Sequence, residues 1–353
     1  MRPRLLAVLA LTACGGGPAA VTVPPDARPA DGPACSPGLD CDVSLPPPAQ
    51  GFQLRIGPFD VPAGTEALRC FWRKVLDDVD VVRIELAYNR GSHHIDLYTT
   101  PYAMPDGDFD CSQPAEWGNW PSQVVRGLPE TATPPRMVVG FQNESLVWQL
   151  PDGVGYRLKK GQQLLVQSHF ANARSQLTPT ARGYALVNLH SAATPVAQQA
   201  ETLFDEDTEL KLVPLEPYER VRFCEFPQPV NLIGMFGHFH SRGRRFRVFE
   251  WDPLTRTQGR QLYENQQWDD PPWYTSATWG GAPVVRAIRI EADYENTEDR
   301  EITWGYYVNQ NEHCETYAMY YPKLDLLAGC ACYHDGEQPE YIAHGHPERC
   351  APR

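Results

Sequence analysis

The chain of 353 residues carries 44 Asp and Glu against 31 Lys and Arg, a formal net charge of −13 at pH 7. That balance argues against nucleic acid or an anionic membrane surface as partner. With 42% apolar and 21% charged residues it is a globular composition, which excludes global disorder, and the length suggests two domains, each able to bury a core. The 34 Pro, together with 9 Trp, 16 Tyr and 13 Phe, favour a β-rich, loop-rich chain over a helical one.

The N-terminus has the layout of an export signal. Arg2 and Arg4 precede an apolar run from Leu5 to Leu11, and Leu11-Thr12-Ala13-Cys14 follows with small residues after it. The run is too short to span a bilayer permanently. Leu-Thr-Ala-Cys resembles a bacterial lipoprotein cleavage box. That resemblance implies a signal peptide over 1–13, lipidation of Cys14 and a lipid-anchored place in the bacterial cell envelope. Gly15 stands where an Asp favours inner-membrane retention, which points to the outer membrane. Residues 14–50, rich in Pro, Gly, Ala and Asp, read as a flexible tether in which Cys35 and Cys41 can close a small disulfide loop.

The body reads as sheet. Val81–Leu86, Ile95–Tyr98, Gln163–Val166, Phe246–Phe249, Val284–Ile290 and Tyr317–Tyr321 are β-branched or aromatic runs bounded by Pro, Gly, Asp and Asn. Many short strands between turn signals predict sandwiches or barrels. The polar stretch Ser191–Asp207 reads as a link, giving an N-terminal unit over 51–195, a C-terminal unit over 196–335 and a tail over 336–353.

The ten histidines are the candidate chemistry. His238 and His240 are two apart in a strand-like segment, so both imidazoles project from one face and can meet one ion, although a structural pair fits as well. His93 and His94 are adjacent, and adjacent strand residues face opposite ways. Both could bind one metal only at a strand end or bulge, which Gly91-Ser92 could supply. His169 sits in Gln167-Ser168-His169, and His313 precedes Cys314. A lone histidine is more often an ordinary one than a ligand, and His190, His334, His344 and His346 carry that reading. There is no Gly-rich phosphate loop, Gly-x-Ser-x-Gly elbow or CxxC pair.

The order His93-His94, Gln167-x-His169, His238-x-His240 and then His313, with nearly equal gaps between the groups, resembles the copper type II, ascorbate-dependent monooxygenases, the family of peptidylglycine α-hydroxylating and dopamine β-monooxygenases. The resemblance covers roughly residues 51–335. It implies an all-β protein of two jelly-roll-like β-sandwich domains facing each other across a cleft. It also implies two copper ions per chain, O2 and a reductant such as ascorbate as co-substrates, and a hydroxylated C–H bond as product. By position His93, His94 and His169 match the electron-transfer copper, and His238 and His240 match two ligands of the oxygen-activating copper. Gln167 matches a residue beside the first copper. Cys70 and Cys111 flank the His-His pair as a family disulfide does, and Cys224 could pair with Cys332 or Cys330 as another does. Cys314 matches a family cysteine whose partner position, near Asp293, holds none. With Cys14 lipidated the remaining cysteines are odd in number, so at least one stays unpaired or pairs between chains.

Two departures stand out. The family's third ligand at the oxygen-activating copper is Met, and here it is His313. Thioether favours Cu(I), whereas imidazole suits Cu(II), Zn and others. Of the five Met, Met319 is about 20 Å from His313 along an extended strand. The family's peptide hydroxylase grips a substrate carboxylate with Arg, Asn and Tyr. Here those positions hold Phe236, Glu315 and Tyr317. On a strand His313, Glu315 and Tyr317 share a face, which offers a substrate a carboxylate and a phenol but no guanidinium. The expected substrate is therefore a neutral or cationic small molecule, with Tyr317, Glu315 and Gln167 as site residues. The alternative is a non-catalytic copper-binding lipoprotein on the same fold.

Overall fold

The computed structural model describes residues 43–89, 92–100, 106–111, 136–172, 180–305, 307–324 and 331–334. The signal at 1–13 with Cys14, the Cys35–Cys41 loop, His344, His346 and the tail over 336–353 lie outside them. The chain is all-β, as its composition suggested. Among the described residues its strands form four sheets.

Two of the sheets come from the first half. One contains β1 (Gly51–Pro62), β3 (Val79–Tyr88), β7 (Ser145–Gln149), β8 (Val154–Leu158), β10 (Thr180–Ser191) and β11 (Gln198–Gln199). Its order is β1-β10-β3-β8-β11, with β7 also on β3. The other contains β2 (Glu66–Lys74), β4 (Ser92–Thr100), β5 (Gly107–Asp110), β6 (Arg136–Phe141) and β9 (Gln163–Ala171), in the order β5-β2-β9-β4-β6. Phe59 of β1 packs on Phe71 of β2 at 6.5 Å and edge-on to Phe170 of β9 at 6.2 Å, so the two sheets share a core.

The second half builds an eight-stranded sheet from β12 (Glu201–Glu206), β14 (Pro217–His238), β15 (Gly243–Asp252), β16 (Thr257–Asn265), β17 (Tyr274–Thr275), β18 (Val284–Glu295), β20 (Glu315–Tyr321) and β21 (Ala331–His334). A two-stranded ribbon, β13 (Lys211–Leu212) with β19 (Ile302–Thr303), lies apart from it. The long β14 changes partners at a register break between Glu225 and Val230. Its first part pairs with β18 and β21, and its last part with β20 and β17.

All six runs expected as strands are strands. The stretch Ser191–Asp207, expected as a link, instead supplies β11 and β12, and the chain passes between halves at Ala200 rather than after residue 195. Its acidity concealed the strand. Glu201, Leu203 and Asp205 alternate with the less buried Thr202, Phe204 and Glu206 and point inward, where Arg136 and Lys323 hold Glu201 and Arg222 holds Asp205. Buried carboxylates are tolerated when paired in this way.

The halves are in direct contact through one continuous core. The partly buried Trp273 packs against it and bridges the halves, with Trp148 and Phe141 of the first half at 5.2 and 5.6 Å and Phe236 and Tyr317 of the second at 5.0 and 5.4 Å. Trp148 lies so close over β14 that a Cβ on Gly234 would stand 2.4 Å from its ring, so only glycine fits there. Aromatic packing around Trp273 thus brings the two halves into contact. The bridges Cys70–Cys111 and Cys224–Cys332 are formed, and Cys314 is a free, buried thiol. Antiparallel register between β14 and β21 sets Cys224 opposite Cys332, which decides the alternative left open in the sequence.

Candidate metal centre

Six histidines from both halves meet at the seam. In the first half, β4 pairs with β9 so that His94 lies directly opposite His169. The pairing slips between Ser92 and His94, leaving His93 in a bulge. The extra residue undoes the strict alternation of faces, and both adjacent imidazoles turn to one side. Ring centroids of His93, His94 and His169 are each 5.1 Å from the other two.

In the second half, His238 ends β14 and His240 lies two residues beyond, their rings 5.2 Å apart. His313 immediately precedes Cys314 and β20 and stands 5.3 Å from His238 and 4.4 Å from His240. Glu312 fastens these segments. Its Oε1 accepts from the backbone N–H of His240 and, at 2.9 Å, of His313, and its Oε2 accepts from Arg242 N–H at 3.1 Å. Burial pushes the Glu312 carboxyl up to about 7 against the pull of these donors.

The outer ring nitrogens are tied down, which fixes what the inner ones can do. Nε2 of His169 donates to Glu66 Oε2 at 2.7 Å, so Nδ1 presents its lone pair to Nε2 of His94, 3.3 Å away. Nδ1 of His94 lies 2.9 Å from Asp96 Oδ2. Gly140, opposite Asp96 in the sheet, makes room for that carboxylate, because a Cβ there would stand 2.5 Å from Asp96 Oδ1. Two lone pairs at 3.3 Å repel unless a proton or a metal ion lies between them. Burial lowers His94, but Asp96 together with Glu315 and Glu66 makes the net shift upward.

His240 Nδ1 donates to the carbonyl of Asn311 at 3.1 Å. His238 Nδ1 donates to Gln142 Oε1 at 2.8 Å, and the amide orientation follows from Gln142 Nε2 donating to the Trp268 carbonyl. Both histidines therefore turn a bare Nε2 inward. His93 is held more loosely, with Gln142 Nε2 3.4 Å from its Nδ1. The Nε2 atoms of His93, His238 and His240 are buried and meet no hydrogen-bond partner among the described residues. Burial, reinforced by the neighbouring imidazoles, pushes His93, His169, His238 and His240 well below the usual histidine range, and His313 to about 4.

Inward-facing imidazoles whose outer nitrogens are held by carboxylates, an amide or a backbone carbonyl are what a transition-metal ion requires. Possible ligand atoms of His93, His94 and His169 lie within 4.8 Å of one another, and so do those of His93, His238 and His240. Glu206, His313 and Glu315 form a third such group. There His313 Nδ1 is 2.6 Å from Glu315 Oε1, and Trp304 Nε1 donates to Glu206 Oε1 at 3.1 Å. Burial, then repulsion from Asp96, pushes Glu315 up to about 8, and burial beside Glu315 holds Glu206 well above the carboxylate range.

The other expected site residues are placed differently. Glu315 contacts His313, so it orients an imidazole, whereas the sequence offered it to substrate. Tyr317 is correctly on β20 but not at the histidines. Its hydroxyl donates to the Val138 carbonyl at 2.7 Å, and its ring packs on Phe236 and Trp273. Gln167 is buried on β9 opposite Asp96, the carboxylate that meets His94. His190 meets Glu85, and His334 meets Arg220 and Arg222. Sequence reasoning missed Gln142, Asp96, Glu66, Glu206 and Glu312. Asp96 alone had a legible signal, standing two residues after His94 in an alternating strand.

No family model matches the chain, and no curated protein matches it. Among solved structures, a chain from the atomic structure of Sulfolobus Turreted Icosahedral Virus aligns with 86% of this chain and 100% of its own at 10% identity and a TM-score of 0.30. A chain described as a secreted protein from Parabacteroides distasonis ATCC 8503 aligns with 83% of this chain and 86% of its own at 7% identity and a TM-score of 0.15. Scores this low carry no argument about fold or function.

Proposed function

We propose that the chain is an exported, lipid-anchored copper-dependent monooxygenase. It would use O2 and a reductant such as ascorbate to hydroxylate a C–H bond of a small, non-peptide molecule, releasing water. The observation that carries this reading is the meeting of His93, His94 and His169 with His238, His240 and His313 in one buried centre, in the order that the copper monooxygenase resemblance requires.

Copper supplies the one-electron and oxygen chemistry in such a centre, and an all-imidazole donor set suits it. The chain's own residues do the rest. Glu66 and Asp96 fix the tautomers of His169 and His94, Glu315 holds His313, and Gln142 aims His238. Trp268 closes over His93 at 6.0 Å and helps to exclude water. Burial holds the carboxyls of Glu206 and Glu315 up beside His313 Nδ1, where they could supply a proton.

A second reading, copper capture or delivery without catalysis, draws on the imidazole of His313 in the thioether position and on the burial of His238, His240 and His313. Oxygen uptake separates the two. The mature protein is loaded with copper, ascorbate is added, and wild type is compared with His240→Ala and His313→Met. Two coppers per chain with uptake abolished by His240→Ala supports the oxygenase. Two coppers without uptake in wild type, but uptake in His313→Met, establishes the binding protein. A chain that takes up no copper overturns both.

A further inference from the structure

The sequence divides the histidines into two independent trios, one per half. The structure does not keep them apart. His93 belongs to two possible ligand groups, with His94 and His169 on its own sheet and with His238 and His240 across the seam. Its ring is 5.1 Å from those of His94 and His169, 5.3 Å from His238 and 5.5 Å from His240. His94 is also 5.6 Å from His238. Gln142 touches His93 and His238 together, and its Nε2 is anchored on the Trp268 carbonyl, so one side chain registers both halves.

The unpartnered atoms identify the shared position. Among the described residues five histidine ring nitrogens are buried without a hydrogen bond; two of them, Nδ1 of His94 and of His313, face carboxylates, which leaves Nε2 of His93, His238 and His240, contributed by both halves. Leaving three buried polar atoms bare is costly for a fold unless a ligand satisfies them. His93 is also the most loosely held of the three, since its one hydrogen-bond contact among the described residues is the 3.4 Å approach of Gln142. It sits in a strand bulge, where the backbone can re-aim a side chain.

We infer that the six histidines form one contiguous dinuclear centre, in which His93 serves the second-half histidines as well as its own trio, so that metal binding clamps the two halves together. The inference rests on the copper reading and deepens it: the two ions lie next to each other and do not act as remote, independent sites. A metal that binds only the joined state stabilises it in proportion to its affinity.

The test is electron paramagnetic resonance of the full mature chain loaded with Cu(II), with metal content measured in parallel. Two coppers per chain, an integrated intensity well below two spins and a half-field signal are expected, because these features require two nearby ions. Two coppers with the full two-spin intensity and no half-field signal would overturn the inference and leave the copper reading standing. No copper uptake would overturn both. With one equivalent of copper, His93→Ala should weaken binding at His238 and His240 at least tenfold and change that copper's hyperfine pattern. His190→Ala, whose imidazole meets Glu85 and belongs to no ligand group among the described residues, should leave both unaltered. If His93→Ala behaves like His190→Ala, His93 is not shared. Circular dichroism checks that the variants fold, and the wild-type spectrum decides the question even if one does not.

Discussion

Gln142 of the first half accepts a hydrogen bond from Nδ1 of His238 in the second at 2.8 Å, and its amide nitrogen donates to the Trp268 carbonyl. One buried side chain thus chooses the tautomer of a candidate ligand and fixes the register of two sheets. Groups that hold a metal-binding imidazole typically matter 10- to 100-fold in metal affinity. Gln142→Ala should lower copper affinity by about that range and cost roughly 1–3 kcal/mol for the bonds left unmade. Competitive copper titration and denaturant unfolding of the metal-free protein read the two effects separately.

Tyr317 should behave as a strut. Its hydroxyl satisfies the Val138 carbonyl, at a point where the pairing of β6 with β4 is irregular. Tyr317→Phe leaves that buried acceptor bare, at a cost of about 1–3 kcal/mol. Copper stoichiometry and the oxygen-uptake rate should not change. A loss of uptake without a loss of stability would return the phenol to the chemistry.

Gly234 lets Trp148 lie against β14. A methyl group there must displace the indole, and overpacking of this kind costs roughly 1–3 kcal/mol. Because Trp148 packs on Trp273 at the seam, Gly234→Ala should also loosen the contact between halves. Reduced thermal stability together with a weaker half-field signal in the copper-loaded protein is the expected pair of results.

The metal-free protein should be least tolerant of pH where its buried groups must change charge. His93, His169, His238, His240 and His313 have lowered folded values, so below about 6.5 the unfolded chain binds protons that the folded one refuses. Their contribution is complete above that pH and is lost as pH falls towards about 4, the value for His313. Glu206, Glu312 and Glu315 have raised values and act in the opposite sense. Their contribution is complete below the usual carboxylate range and is lost as pH rises, through about 7 for Glu312 and about 8 for Glu315. His94, also raised, loses its contribution on the same alkaline side. The two sets offset each other between about pH 4.5 and 6.5. Thermal melts should show stability falling both below and above that interval, by on the order of 1 kcal/mol per pH unit for each uncompensated group. Copper loading should flatten the profile, since bound imidazoles no longer take up protons.

Much of the candidate centre was legible because local rules govern it. His238 and His240 stand on one face by strand periodicity, and the need for a bulge at His93-His94 followed from the same rule. The strands themselves showed in their β-branched and aromatic runs. Other parts were not legible. Asp205 and Glu201 looked like a polar link because their partners Arg222, Arg136 and Lys323 are remote in sequence. Gln142 carried no signal, as an amide acquires its role only when a distant imidazole is placed against it. Tyr317 was on the right strand, but which acceptor its hydroxyl meets depends on the opposite half.

By itself the sequence determined the all-β class, the segments that become strands and the histidines that can act in pairs, because hydrophobic periodicity and side-chain direction are properties of the local chain. Only the tertiary structure decided that the two halves touch, that Cys224 takes Cys332, and that His93 faces His238. Those outcomes depend on aromatic packing around Trp273 and on strand register, which bring together residues far apart in the chain.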